Sequence, residues 1–504
     1  MRYRQAFPYL FILLCLLIST AVVQSAVGNS VSGTLVVRQG DRLVNGRFQA
    51  LPPEIGLYDQ SHAYHRLTVT SGSVGELMRM NGRHVTINIG TQSVTQPTLN
   101  VESIAASGIS VQDLGSPMIG PQPWASILCS VPGSPAPKLL PPSFYSGMFR
   151  TAFPSIEDFF RDISKGKMFG FGPYVKGWYD LPHNLSYYME GNPYPNLDRL
   201  LLDCAAVADA DIKFTDFVGI NLFFDVDFAS SWGGMAELSL DGVTRLYRTT
   251  WIHQSEDPLN FVTHEDGHGY GLSHSCGEFD NCDEYSDYTT QMSGIALKCD
   301  IVRDPNYGCI PLLFSAFDQY QLGLLDPFVT TTEGYHEYNL QGLYDSGAQT
   351  RAILIRFSED SFITIEARKL AGYDAKLITA GVILHEVDRT RYPFQGFINV
   401  AHNGDNLSKQ AYMTKAGQIY TDPNNRFSVC LKSITSGVYR IGVGVGVDCN
   451  NPPPPTSTPT PTRTPTITPT MTPTPTRTPT PVEPTPTQGP SITPRLIYLP
   501  FVGK

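Results

Sequence analysis

The sequence predicts an α+β protein. Its central domain would carry a twisted sheet and one histidine-bearing helix, between an N-terminal β-rich domain and a C-terminal β-sandwich-like domain. Three observations predict this. Strand-like alternation dominates residues 27–118 and again 328–449. Helical periodicity is confined to 119–327. Within that middle stretch, THEDGHGYGLSH gathers His264, Glu265, His268 and His274.

The N-terminus opens with Arg2 and Arg4, an apolar run from Phe7 to about Val23, and small residues around Ser25-Ala26. That order reads as a signal peptide over 1–26, and so as a secreted or cell-surface protein. An uncleaved anchor is the alternative, and either way the remainder is exported. From 27 to 118, GTLVVRQ and HVTINIG alternate like strands and no helical period stands out. In the middle, Ile156, Phe159, Phe160 and Ile163 share one helical face, with Ser155 as cap and Gly166 as stop. Leu197, Leu200, Leu201, Cys204 and Ala208 repeat the pattern. GINLFFDV reads as a buried strand, and MAELSLDGVTRLYRTTWI as a hairpin about Asp241-Gly242. SFITIEARK, AGVILHEVD and GVYRIGVGVGV give strands to the C-terminal domain.

Residues 450–490 are almost wholly Pro and Thr. They cannot form a core and favour polyproline II, so they read as a stalk. The tail 491–504 is too short to span a bilayer; it reads as a surface-attachment peptide or a loose end. The chain of 504 residues carries a net charge of -10 and no basic stripe, which argues against nucleic acid as a partner. Oligomeric state is silent. Beyond Cys15 in the leader, the cysteines are Cys129, Cys204, Cys276, Cys282, Cys299, Cys309, Cys430 and Cys449. An even set in an exported chain suggests disulfides. Proximity favours 276 with 282, 299 with 309 and 430 with 449, leaving 129 with 204, though spacing alone does not decide connectivity.

Asp257 and Pro258 can start a helix, as N-cap and first residue. His264 and His268, four apart, then face one side. Two imidazoles at that spacing can bind one zinc ion, and Glu265 can reach a water on it without ligating it. Gly271 can stop the helix, so that the chain returns with His274 as a third ligand. Three imidazoles plus water make an open catalytic site. The other reading is a polar helix face with uninvolved histidines; only 11 histidines occur in the chain, so the full spacing is rarely met by chance. His253, His336 and His385 have no such neighbours and read as ordinary polar groups.

His-Glu-x-x-His-x-x-Gly-x-x-His resembles the signature of the metzincin zinc peptidases. Downstream, EYSDYTTQMSG resembles the methionine turn of gametolysin-like and immune-inhibitor-A-like secreted metallopeptidases, with Glu284, Tyr285, Asp287 and Met292 in register. The resemblance spans roughly 120–449 and leaves out 27–118 and the stalk. It implies a metzincin-like catalytic fold over 119–327, zinc on His264, His268 and His274, Glu265 as general base, and Met292 as a floor beneath the metal. His274 rather than Asp as third ligand leans toward the gametolysin-like side. Departures are Asp266, where the family tends to have an apolar residue, and Thr290-Gln291 in place of Asp-Val. No tyrosine follows Met292 by two, so no fifth ligand of the astacin type is implied.

The function these features imply is a secreted zinc endopeptidase acting on protein or glycoprotein. An extended substrate would pair with a sheet edge, MAELSL or LYRTTWI. The alternatives are an adhesion protein that keeps the fold without turnover, and a peptidase directed at glycoprotein or cell wall. Glu278, Asp280, Asp283, Glu284 and Asp287 admit a Ca²⁺ site, though an acidic solvated loop is the favoured reading. No cysteine lies in 27–128, so a propeptide cysteine cannot block zinc there. The N-terminal domain would inhibit by another device, bind a target, or support the fold.

Overall fold

The computed structural model of the chain describes residues 29–449, except 45–46, 70–73, 107–117, 134–139, 191–192, 279–281, 295–297, 348–349 and 401–410. The leader, the Pro/Thr stalk and the tail therefore lie outside the described residues. The described part mixes helix and strand, with sheet dominating. No helix in it is long and apolar enough to cross a membrane.

The central sheet is built on four mutually parallel strands in the order Tyr174–Asp180, Trp124–Ser130, Gly219–Phe224, Val243–Ile252. Ser231–Leu240 pairs antiparallel to the last of them. Asp241 and Gly242 join these two strands with φ of 51° and 75°. Positive φ at both positions is what a two-residue hairpin of matching twist requires, and it explains Asp-Gly there. Side-chain alternation sends Trp124, Leu128, Phe223 and Ile252 into one core, and Ala125, Ile127, Cys129, Ile220, Leu222, Phe224 and Trp251 into the other. Both faces are therefore covered, which is why Gly219–Phe224 is buried at every residue.

Two of the covering helices follow their sequence signals. In Ile156–Ser164, Ser155 Oγ accepts from the Asp158 N–H at 3.0 Å, and the chain leaves through Lys165 and Gly166 in left-handed conformation. Leu197–Ala208 is capped by Asn196 and is tied to strand Trp124–Ser130 by the Cys129–Cys204 disulfide. The other disulfides are Cys276–Cys282, Cys299–Cys309 and Cys430–Cys449, so the pairings favoured by proximity are those found.

Toward the C-terminus, a sheet containing Ala352–Arg356, Ser361–Arg368 and Gly381–Asp388 faces a four-stranded sheet containing His336–Leu340, Ser428–Thr435 and Val438–Gly444. Ile353, Ile355, Ile363, Ile365 and Leu384 of the first pack with Leu340, Val429, Leu431 and Ile441 of the second.

The N-terminal region is mostly strand, with one helix, Val74–Arg79, that the sequence did not announce. Six residues are too few to display a helical period, yet they bury Leu77 and Met78. Its long strand Ser30–Val44 pairs with Glu54–Asp59 and His84–Asn88, and then continues into the central sheet.

Lys376 ends a short 3-10 turn and is fully buried, its ammonium donating to Cys309 Sγ at 3.3 Å. Burial lowers its pKa to about 7, against the pull of Asp257. The unfolded lysine titrates near ~10.4, so the unfolded chain binds more protons between those values and stability should rise with pH from 7 upward. Lys376→Met is expected to raise the melting temperature at pH 6 and to flatten this rise. Thermal melts of both proteins from pH 6 to 9 check it; parallel curves would contradict it.

A candidate metal centre

Helix Pro258–Gly269 carries the central histidines and is buried along its whole length. Pro258 occupies the first turn as expected, but Asp257 does not cap. Its Oδ1 instead accepts from the Cys309 N–H at 2.8 Å and pairs with Arg303 at 2.8 Å, so a tertiary contact takes the carboxylate away from the helix end. At the other end, Gly271 adopts φ 87°. The Gly271 N–H donates to His268 O and the Leu272 N–H to Gly267 O, at 2.9 and 3.0 Å. This paired closure is the Schellman arrangement that glycine permits, and it turns the chain back toward the helix. His274 thereby arrives beside the two helical histidines.

Each imidazole is oriented by its Nδ1. His264 Nδ1 bonds Gln291 O at 2.8 Å, His268 Nδ1 bonds Leu272 O at 2.9 Å, and His274 Nδ1 bonds Glu284 Oε2 at 2.7 Å. A carbonyl oxygen can only accept, so Nδ1 of His264 and His268 must donate, and in the neutral ring Nε2 keeps a lone pair. Those Nε2 atoms converge: His268 lies 3.1 Å from His264 and 3.1 Å from His274.

A fourth group, absent from the sequence reading, completes the cluster. Asp41 enters on the strand Ser30–Val44, with Oδ2 2.8 Å from His264 Nε2 and Oδ1 2.9 Å from His274 Nε2. His268 Nε2 is 3.7 Å from Oδ2. All four side chains have 0% exposure. The Asp41 oxygens accept no hydrogen bond of good geometry. Ligand atoms around a tetrahedral ion with bonds of ~2.0–2.1 Å sit about 3.3 Å apart, close to the spacing here. The buried Asp/His/His/His cluster is thus a set of ligand atoms able to hold a metal ion.

The electrostatics agree. Burial opposes ionisation of Asp41, yet His264 and His274 hold it well below the usual carboxylate range. Burial lowers His274, but Asp41 and then Glu284 raise it to about 10. His268, where burial wins, is pushed down to about 3. A proton on His274 would answer the Asp41 charge but would leave the deprotonated His268 Nε2 facing the other two rings at 3.1 Å. A cation satisfies all four groups at once.

Glu265 is fully buried one residue from His264, and its oxygens accept no hydrogen bond among the described residues. Burial, then the Asp41 carboxylate, pushes it well above the usual range. Strand and helix approach backbone to backbone nearby: a Cβ on Gly233 would collide with Glu265 O and His268 Cβ. Met292 is buried, and its Sδ lies 2.6 Å from where a Cβ on Gly267 would stand. Asp266 is buried with no hydrogen bond to its oxygens, and burial raises its pKa well above the usual range.

The departures in the methionine turn have roles of their own. Gln291 supplies the carbonyl to His264, and its amide bonds Asn260 O at 2.9 Å and the Leu312 N–H at 2.7 Å. Thr290 Oγ1 donates to Asp318 at 2.6 Å. Among the described residues the carboxylates of the acidic loop do not converge. Glu284 orients His274, Asp287 serves His385 and Thr289, and Glu278 bonds Asn399. Asp280 lies outside the described residues. Among the described residues the cluster at Asp41 is the one group with convergent ligand atoms, and the calcium reading gains no support.

No protein-family model matches this chain. No curated protein sequence matches it either.

Glu284→Ala should weaken metal binding by about 10- to 100-fold, because it removes the acceptor that fixes His274. Competition with a fluorescent chelator measures this; an unchanged affinity would contradict the assigned orientation. Gly267→Ala should displace Met292 and lower the melting temperature of the metal-loaded protein, which calorimetry checks.

Proposed function

We propose that this chain is an exported zinc endopeptidase of the metzincin kind, similar to the gametolysin-like enzymes, acting on protein or glycoprotein. One observation carries the reading: the Nε2 atoms of His264, His268 and His274 converge, with the Glu265 carboxyl one residue from the first. Three imidazoles with one carboxylate suit zinc better than a hard oxygen-seeking ion. The four disulfides fit an oxidising compartment.

When bound there, zinc would supply Lewis acidity, polarising a peptide carbonyl and easing deprotonation of water. Glu265, one residue from His264 in a dry site, accepts the proton of the attacking water and passes it to the leaving amine nitrogen. His264, His268 and His274 hold position through their Nδ1 bonds and take no proton. The edge of Ser231–Gly233, packed on the helix at Gly233, is the strand an extended peptide would pair with, and Gln39–Asp41 occupies it in this structure.

A second reading is favoured by Asp41. Four protein ligands make a closed site, and a closed site is the mark of structural zinc. The chain would then be a metal-stabilised binding or adhesion protein.

Glu265→Ala is expected to retain about one zinc per chain and to lose casein cleavage. The comparison is made on the exported protein before and after limited trypsin treatment, with and without phenanthroline. Chelator-sensitive cleavage that survives in zinc-loaded Glu265→Ala would overturn the assignment of the base.

A further inference from the structure

We infer that the segment Arg38–Asp41 is a built-in occupant of the peptide cleft, and that Asp41 keeps the centre latent by holding the position a reacting water needs. This inference rests on the peptidase reading above.

The backbone carries the first part of the argument. Gln39, Gly40 and Asp41 pair antiparallel with Gly233, Trp232 and Ser231. They cover the backbone of the hairpin strand where it lies against the metal helix. This is how an extended peptide would pair there. The segment is also fitted side chain by side chain. Trp232 lies over Gly40, where any Cβ would collide with its ring. Gln39 Nε2 donates to Leu272 O at 2.8 Å, the same carbonyl that orients His268. The Arg38 guanidinium is fully buried. It donates to Met235 O at 3.2 Å and pairs with Asp198 at 2.7 Å and with Glu54 at 3.0 Å. Arg38 therefore pins the segment to the central sheet, and Asp41 follows it onto the three imidazoles.

The chemistry of Glu265 carries the second part. With Asp41 in place a bound metal would have four protein ligands and no open position. A closed site gains nothing from a fully buried Glu265 side chain whose oxygens accept no hydrogen bond among the described residues, and burying such a group is costly. Once Asp41 leaves, a water takes its position and gives Glu265 a partner. The strand that delivers Asp41 comes from the N-terminal region. Its first half packs with Leu57, Val85 and Ile87 in a core that also takes in Phe317, Leu354 and Phe362. It reaches the central sheet only after pairing within that region.

The test uses the full exported chain, loaded with zinc, as wild type, Asp41→Ala and Asp41→Asn. Acetohydroxamate, a small bidentate zinc ligand, is titrated into each by calorimetry, and zinc content and casein cleavage are measured alongside. A tethered carboxylate competes at its effective concentration, so Asp41→Ala should bind acetohydroxamate roughly 100-fold more tightly than wild type. It should keep its zinc and cleave casein without prior trypsin treatment, and Asp41→Asn should fall between. Equal acetohydroxamate affinity in wild type and Asp41→Ala would overturn the latency role and leave the peptidase reading standing. Loss of zinc from both variants would make Asp41 a structural ligand and overturn the inference. Zinc-loaded Asp41→Ala that binds acetohydroxamate but cleaves nothing would uphold the occupancy and sink the peptidase reading.

Discussion

Three imidazole Nε2 atoms converging on one carboxylate inside a dry core form an arrangement that folding alone disfavours. Each ring is fully buried, and each gives up its water contacts. The surroundings read as the answer to that problem. Gln291 O, Leu272 O and Glu284 fix the outer nitrogens, so that none of the rings can rotate its Nε2 away. Met292 and Phe314 fill the space beside Gly267 so closely that only a hydrogen fits at its α-carbon. Gly233 lets the hairpin strand lie directly on the helix. The parallel strands, the helix they support and the turn below it are all placed by the need to hold these nitrogens still.

The N-terminal strand is part of the same solution. A carboxylate in the midst of three imidazoles contributes charge, and its position is secured by a chain of contacts reaching back to Arg38. The long strand thus belongs to two sheets' worth of pairing at once: its first half to the N-terminal hairpins, its second half to the central sheet. Arg38, buried where the two meet, is satisfied by acids from both sides, Glu54 and Asp198, with the Trp251 ring 5.3 Å away.

What the sequence made legible is what lies close together along it. His264, His268, Gly271 and His274 fall within two turns and one reversal, so helical spacing and a glycine stop were enough to place them. The hairpin at Asp241-Gly242 and the cap at Ser155 were readable for the same reason: their chemistry is complete within four residues. Asp41 was not readable. It sits in a strand whose alternation reveals which face is buried and says nothing of what waits there. Asp257 misled because its cap competes with a distant N–H at Cys309, and the tertiary bond wins. Gln291 looked like a departure from a pattern; its carbonyl turns out to orient His264, a role that side-chain identity does not encode. The helix Val74–Arg79 was hidden by its length.

The most direct test of the account is X-ray absorption at the zinc edge on the purified chain. The account predicts about one zinc per chain, with a first shell of nitrogen and oxygen at ~2.0–2.1 Å and outer-shell scattering from three imidazoles. A chain that retains no metal after gel filtration, or a zinc shell without imidazole scattering, would contradict it and leave the histidines as a buried polar cluster held by protons alone.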